Sequence, residues 1–318
     1  MHNIMQTCWV ITADKKGTIH QAIGIPERLD IKYELKIVKL NGLTKFLGHI
    51  SPKLLFFCSQ INLLSRQKMP TFIVSSGHDG LIVAAALKAR KPDLIVVHVQ
   101  NPKGLLKYFD LAVIPQHDNV AKAANIITTK IGLHHINEIK LQQEKAKFIK
   151  QFGGAKAAFF SIGGKSVGYD LTDEWVAKFC QKLSEFNSIK VYVTTARRTS
   201  EKHRLYIKNN LPNNAVFLDD YSYNYYIGAL AFCDYIFVTN ESVSMVSEAC
   251  FTKKTIVMMQ IYGFRKKIKQ FNDVLQKSEQ AVLQKIDDLH LIESLQNNSI
   301  EDNEIVSNAI KNLLKNDK

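Results

Sequence analysis

Tyr235-Ile-Phe-Val-Thr-Asn-Glu-Ser-Val-Ser-Met-Val-Ser-Glu-Ala249 decides how this chain folds. Tyr235, Ile236, Phe237 and Val238 have the length and apolar character of a buried strand. A short polar turn follows, and then Val243, Val246, Ala249 and Cys250 recur at helical period. A strand feeding a helix N-terminus leaves free backbone N–H groups at the carboxyl edge of a sheet. Those donors and the helix dipole favour an anion such as phosphate. Ser242, Ser244, Ser247 and Glu248 crowd this turn and its first helical turns. Ser244 and Glu248 are four residues apart and share a helix face. A hydroxyl and a carboxylate so placed suit ribose or sugar hydroxyls beside a phosphate. The competing reading makes Ser242 a helix cap and turns Glu248 to water. No Ser/Thr-x-x-Glu capping box fits the turn, so reciprocal capping does not account for the polar cluster.

Outward from this stretch the same alternation repeats. Apolar strands are expected at Cys8–Ile11, Tyr33–Leu40, Phe72–Val74, Leu94–Val99, Leu111–Ile114 and Asn125–Ile127. A second series is expected at Ala155–Ile162, Ile189–Val193, Ala215–Leu218 and Lys254–Met259. Helical runs lie between them: Thr18–Ile25, Leu81–Arg90, Asn137–Lys150, Asp173–Phe186, Tyr225–Phe232 and a polar stretch from Ile268 onward. Alternating strands and helices predict an α/β protein with parallel sheets covered on both faces. At 318 residues the chain exceeds the size at which one core stops growing, roughly 250–300 residues, so two domains are expected. Composition restarts after Gln151-Phe-Gly-Gly154, which puts the domains at 1–150 and 151–318, the last helices packing back on the first domain.

Lys and Arg number 42 against 29 acidic residues, a formal charge of +13. Such an excess favours anionic partners: nucleotides, anionic lipid or a membrane surface. Nucleic acid is not expected, because no recognised module or aromatic–basic interleaving accompanies the charge. None of the five cysteines forms a C-x-x-C pair, and Cys8, Cys180 and Cys233 sit in apolar periodic segments. Buried free thiols and a reducing compartment follow. No apolar run approaches the ~20 residues of a membrane span, so the expected location is the cytoplasm, with peripheral membrane attachment allowed.

The loops at strand ends carry the remaining chemistry. Ser161-Ile-Gly-Gly-Lys-Ser166 lacks the first glycine of a P-loop, since Phe159 stands there. Gly163 and Gly164, with Lys165 beside them, form either an anion nest or a plain tight turn. Thr194-Thr-Ala-Arg-Arg-Thr199 sets Thr195, Arg197 and Arg198 at a strand end, where guanidinium forks suit a diphosphate. One arginine is alternatively the partner of a structural carboxylate. Asp14, His78 and His117 occupy equivalent loops in the first half and are the candidate bases. A nicotinamide site is excluded, because no Gly-x-Gly-x-x-Gly follows the first strand. His134-His135 has no carboxylate at metal spacing, so no metal site is expected.

Taken in order, Phe109-Asp-Leu-Ala-Val-Ile-Pro-Gln-His-Asp118, Gly163-Gly-Lys-Ser166, Val193-Thr-Thr-Ala-Arg-Arg-Thr199 and Val238 through Ala249 resemble the mitochondrial fission ELM1 family of bacterial and plant proteins. The resemblance covers nearly the whole chain. One departure is Thr12-Ala-Asp-Lys-Lys-Gly17, where the family tends to read Thr-Asp-Gly-Lys-x-Gly. The resemblance implies a GT-B-like fold, two Rossmann-like domains facing a cleft, with the donor in the second. It implies a glycosyltransferase that needs no cofactor and takes a nucleotide-diphosphate sugar as donor, with a lipid-linked acceptor suiting the basic surface. Gly163, Gly164, Arg197, Ser242 and Ser244 would then hold the diphosphate and Glu248 the ribose or sugar. The alternative is a non-catalytic adaptor. The plant member is described as bringing a dynamin-related protein to mitochondria, and an adaptor would use the same fold to bind a protein or a membrane surface.

Overall fold

The near-continuous apolar runs become buried parallel strands, while Lys32–Ile37, at a sheet edge, stays largely exposed. The computed structural model describes residues 6–221, 225–292 and 302–316. The chain folds as two compact units, Met1–His135 with Glu301–Lys318, and Ile136–Ile300.

In the first unit the order is β1 (Thr7–Thr12), α1 (Lys16–Arg28), β2 (Lys32–Ile37), α2 (Gly42–Ile50), a 3-10 turn (Pro52–Phe57), α3 (Ser59–Ser65), β3 (Phe72–Ser76), α4 (Gly77–Arg90), β4 (Ile95–Val99), β5 (Leu111–Pro115) and β6 (Ile126–Thr129). The strands form one parallel sheet in the order β2-β1-β3-β4-β5-β6. Alternate residues feed its two faces. Trp9, Ile11 and Ile73 pack with Leu81 to Leu87 of α4 and with Leu55 and Ile61. Cys8, Val10, Phe72 and Val74 pack with Ala22 and Ile25 of α1.

The second unit runs α5 (Glu138–Phe152), β7 (Ala157–Ile162), β8 (Tyr169–Asp170), α6 (Asp173–Leu183), β9 (Lys190–Thr195), α7 (Glu201–Asn209), β10 (Ala215–Phe217), α8 (Tyr226–Phe232), β11 (Tyr235–Thr239), α9 (Val243–Cys250), β12 (Thr255–Met259), β13 (Tyr262–Gly263), α10 (Lys266–Lys277) and β14 (Val282–Gln284). Its parallel sheet has the order β10-β9-β7-β11-β12-β14. That is the doubly wound 3-2-1-4-5-6 arrangement, whose strand order reverses between β7 and β11. A final helix, α11 (Asp302–Asn316), belongs to the first unit. There Val306, Ile310 and Leu314 bury beside Val10 and Val74.

Several sequence expectations shift. The units divide at His135/Ile136 rather than after residue 150. Helix α5 packs on α8, where Gly228 leaves room for the Glu144 carbonyl and Phe148. The loop expected at Ser75–Gly80 is the end of β3 and the first turn of α4. Helices α2, α3 and α7 had no counterpart in the sequence reading. The polar helical stretch expected from Ile268 onward is α10 to Lys277, and beyond residue 292 it leaves the described residues until α11. Among the described residues no helix is long and apolar enough to cross a membrane. All five cysteines are free, and Cys8, Cys180, Cys233 and Cys250 are buried.

Candidate functional site

The carboxyl ends of β9, β7 and β11 lie side by side in the second sheet. Ile162 is in register with Thr195, and Ser161 with Val238. Ligands of open α/β sheets bind where strand order reverses, at the carboxyl edge. Here that point carries Gly163 and Gly164 after β7 and Asn240, Glu241 and Ser242 after β11.

Glu241 organises the edge. Its side chain is fully enclosed. Oε1 accepts from the Gly164 N–H at 3.3 Å and from Arg198 at 3.4 Å. Oε2 is buried and finds no hydrogen-bond partner among the described residues. Burial holds this carboxyl above its usual range, against the pull of Thr239, Arg198 and the backbone. A Cβ at Gly163 would sit on Oε1 of Glu241, and one at Gly164 on the Arg198 carbonyl. Gly163 donates its N–H to Thr239 Oγ1 at 2.7 Å. The sequence offered an anion nest or a plain tight turn for this glycine pair; in the structure the Gly163 N–H donates to Thr239 and the Gly164 N–H to Glu241, and neither position has room for a side chain.

Asp219, after β10, fixes the next loop. It accepts from Thr194 Oγ1 at 2.5 Å, from the Thr195 N–H at 3.1 Å and from the Thr195 hydroxyl. Thr195 is thereby a positioned strand end rather than a free donor. Arg198 is the arginine committed to a carboxylate, while 40% of its side chain remains exposed. Arg197 and Lys165 are exposed at the same edge. Among the described residues neither forms an ion pair.

Helix α9 begins at this edge. Asn41, Asn137, Thr172 and Ser200 each accept a backbone N–H as helix caps elsewhere in the chain. Ser242 occupies the cap position of α9, and its side chain makes no such bond. Ser244 is half-buried on the first turn, and Ser247 is buried deeper at 1% exposure. Glu248 is buried, with 8% exposure. Its Oε2 accepts from the Tyr226 hydroxyl of α8 at 2.8 Å. Burial pushes this carboxyl up to about 7, the Tyr226 hydrogen bond only partly opposing it. The competing reading of this turn is not what the structure has: Ser242 does not cap through its side chain, and Glu248 is not turned to water.

In the first unit, Asp14 is exposed just after β1. His78 stands in the first turn of α4, after β3, with its Nε2 2.6 Å from Nε2 of His49. Burial, then His49, then Lys103 hold the His78 ring below its ordinary value. Its neighbour Asp79 is buried and committed to the Leu40 N–H at 3.0 Å and to Lys45 at 2.9 Å. His117 follows β5 with its ring 4.0 Å from Asp118. β1 and β3 are adjacent, so the Asp14 and His78 loops share an edge, whereas β4 separates β5 from β3. Sequence reasoning missed Thr239, Asp219, Tyr226 and the central role of Glu241. The one available signal was Gly163-Gly164 itself, a pair with no Cβ where a neighbouring strand delivers a glutamate.

A family model described as mitochondrial fission ELM1 matches residues 16–314. The uncharacterized protein RP120 of Rickettsia prowazekii is 25% identical over 297 residues, covering 78% of this chain and 81% of that protein. The mitochondrial fission protein ELM1 of Arabidopsis thaliana is 22% identical over 239 residues, covering 65% of this chain and 56% of that protein. Among solved structures, the MnaA–UDP co-structure of S. aureus has a TM-score of 0.54 at 11% identity, covering 98% of this chain and 97% of that one. The kitacinnamycin glycosyltransferase has a TM-score of 0.55 at 10% identity, covering 97% and 90%. The UDP-GlcNAc 2-epimerase of Neisseria meningitidis bound to UDP-GlcNAc has a TM-score of 0.53 at 12% identity, covering 98% and 100%. The fold is therefore GT-B-like, shared by glycosyltransferases and epimerases.

Proposed function

The chain belongs to the mitochondrial fission ELM1 family, and from that premise we propose that it binds a nucleoside-diphosphate sugar at the carboxyl edge of its second sheet and transfers the sugar to an acceptor. The observation that carries the reading is Glu248, a carboxyl enclosed one helical turn beyond Ser244 and raised to about 7. Burying an ionisable group that is only partly compensated lowers stability, and such groups concentrate where chemistry or binding requires them. Two neighbours of the same fold are described with UDP or UDP-GlcNAc, which supports this ligand class.

In this proposal the uncapped start of α9 and the hydroxyls of Ser242 and Ser244 receive the diphosphate. Arg197, the exposed edge of Arg198, and Lys165 supply positive charge. Glu248 accepts from ribose or sugar hydroxyls. On transfer, the bond from the anomeric carbon to the diphosphate oxygen breaks and its electron pair stays on the phosphate. Positive groups at that edge stabilise the developing charge, commonly the largest catalytic contribution. The acceptor hydroxyl forms the new bond and gives up its proton. That proton passes to a general base of the site or to solvent.

Calorimetric titration of UDP, GDP, ADP and CDP into the wild type and Glu248→Gln tests the reading. One nucleotide should bind, and the variant should lose about tenfold or more in affinity, the usual effect of losing hydrogen bonds to a charged group. Failure of every nucleotide to bind, or equal affinities, overturns it and leaves the fold as a scaffold of the adaptor kind.

A further inference from the structure

The surface built by α2, the Pro52–Phe57 turn and α3 belongs to the first unit, and the side chains considered next are not those of α2 that meet His78 and Asp79. Helix α2 has two apolar faces. Thr44, Leu47 and Gly48 face the core, with Gly48 against Ile82 and Leu55. Leu43, Phe46 and Ile50 recur at i, i+3 and i+7, a second stripe of one helix face, and are 65%, 64% and 61% exposed. Leu54 and Phe57 on the turn and Leu63 on α3 are exposed as well. The turn packs against both helices, and all three pack on α4. Six large apolar side chains in 21 residues, all solvent-facing, are more than the scattered exposure of an ordinary surface.

The charged side chains of the stretch that carries them are all basic. From Lys36 to His78 the sequence has no aspartate or glutamate in 43 residues, while the chain carries 29 in 318. The same stretch holds six lysines and arginines. Lys36 and Lys45 pair with Glu34 and Asp79. Lys39, Lys53, Arg66 and Lys68 are exposed and form no ion pair among the described residues. An apolar stripe rimmed by unpaired cations is complementary to a bilayer face bearing anionic headgroups: the side chains enter the headgroup–acyl boundary and the cations meet the phosphates. A protein partner of this shape would need a matching acidic rim, whereas an anionic bilayer offers both features over any area.

We propose that this face docks the protein on a membrane containing anionic phospholipid, with Leu43, Phe46 and Ile50 inserted. The proposal stands apart from the nucleotide site. It is tested by flotation of the full chain with vesicles of phosphatidylcholine alone or mixed with phosphatidylglycerol, at low and high salt. The wild type should float with the mixed vesicles, less so in high salt, and weakly with phosphatidylcholine. Leu43→Ser/Phe46→Ser/Ile50→Ser should reduce binding by about tenfold or more. Lys53→Glu/Arg66→Glu/Lys68→Glu, also at exposed positions, should abolish the preference for anionic vesicles. A wild type that stays unbound, or apolar and charge variants that both float like it, overturns the proposal. So does sedimentation analysis in which the apolar variant splits a dimer while vesicle binding is unchanged, since the stripe would then serve a second copy of the chain.

Discussion

Glu248 shows at the scale of one residue how function is set against stability. Its folded value, about 7, lies above its ordinary 4.5, so between these limits the native state holds a proton that the unfolded chain has released. Stability falls as pH rises through that window, by about 3 kcal/mol in all, and is flat on either side. Glu248→Gln removes this dependence while its amide oxygen still accepts from Tyr226. The variant should therefore unfold at higher urea near pH 8 than the wild type, yet bind nucleotide more weakly. A lowered midpoint would mark Glu248 as a structural group. If the carboxylate is the form that grips ribose, nucleotide affinity in the wild type should drop as pH is lowered through about 7, read by calorimetry in buffers spanning pH 6 to 8. The sequence showed Glu248 and Ser244 on one face because helical spacing alone fixes that. It did not show Glu241, because the enclosure of that side chain depends on β7 and β11 being neighbours.

At the scale of elements, strand ends and helix packing decide what each loop can do. Gly163→Ala would push the β7 loop against Glu241 and should cost about 1–3 kcal/mol, the usual penalty of overpacking, measured as a fall in urea midpoint. Helix α5 reads from sequence as the tail of the first domain. Phe148 instead sits at 0% exposure among Phe152, Tyr192 and Phe232 of the second unit. Phe148→Ala should lose about 3–5 kcal/mol. Hydrogen exchange should show that loss in the amides of β7 and β9 and spare β1 and β3. Equal loosening of the first sheet would argue against the assignment of α5. Helix α2 escaped the sequence reading for a related reason: with apolar residues on two faces, its pattern matches neither a half-buried helix nor a strand.

At the scale of the molecule, the first unit is assembled from both ends of the chain. Asp302 accepts from the Lys130 N–H at 2.5 Å and the Ile131 N–H at 3.1 Å, which ties the start of α11 beyond β6. Val306, Ile310 and Leu314 then close one face of the first sheet. Deleting residues 302–318 exposes those partners and removes three buried aliphatic side chains, roughly 5–9 kcal/mol of burial. Thermal unfolding of the truncated chain should show the first unit melting early while the second keeps its midpoint. A single unshifted transition would contradict this division.

The sequence by itself determined most of the central strands, their burial and the strand-to-helix turn after β11, because these follow from local periodicity and from the residues that break it. It also carried the family, through loops in a fixed order. Tertiary structure alone decided that α5 joins the second unit, that α11 joins the first, and that Gly163 makes room for Glu241 and Gly164 for the Arg198 carbonyl. Those outcomes depend on which strands become neighbours and on which enclosed groups find partners. Both are set by long-range packing, which leaves no period in the sequence to read.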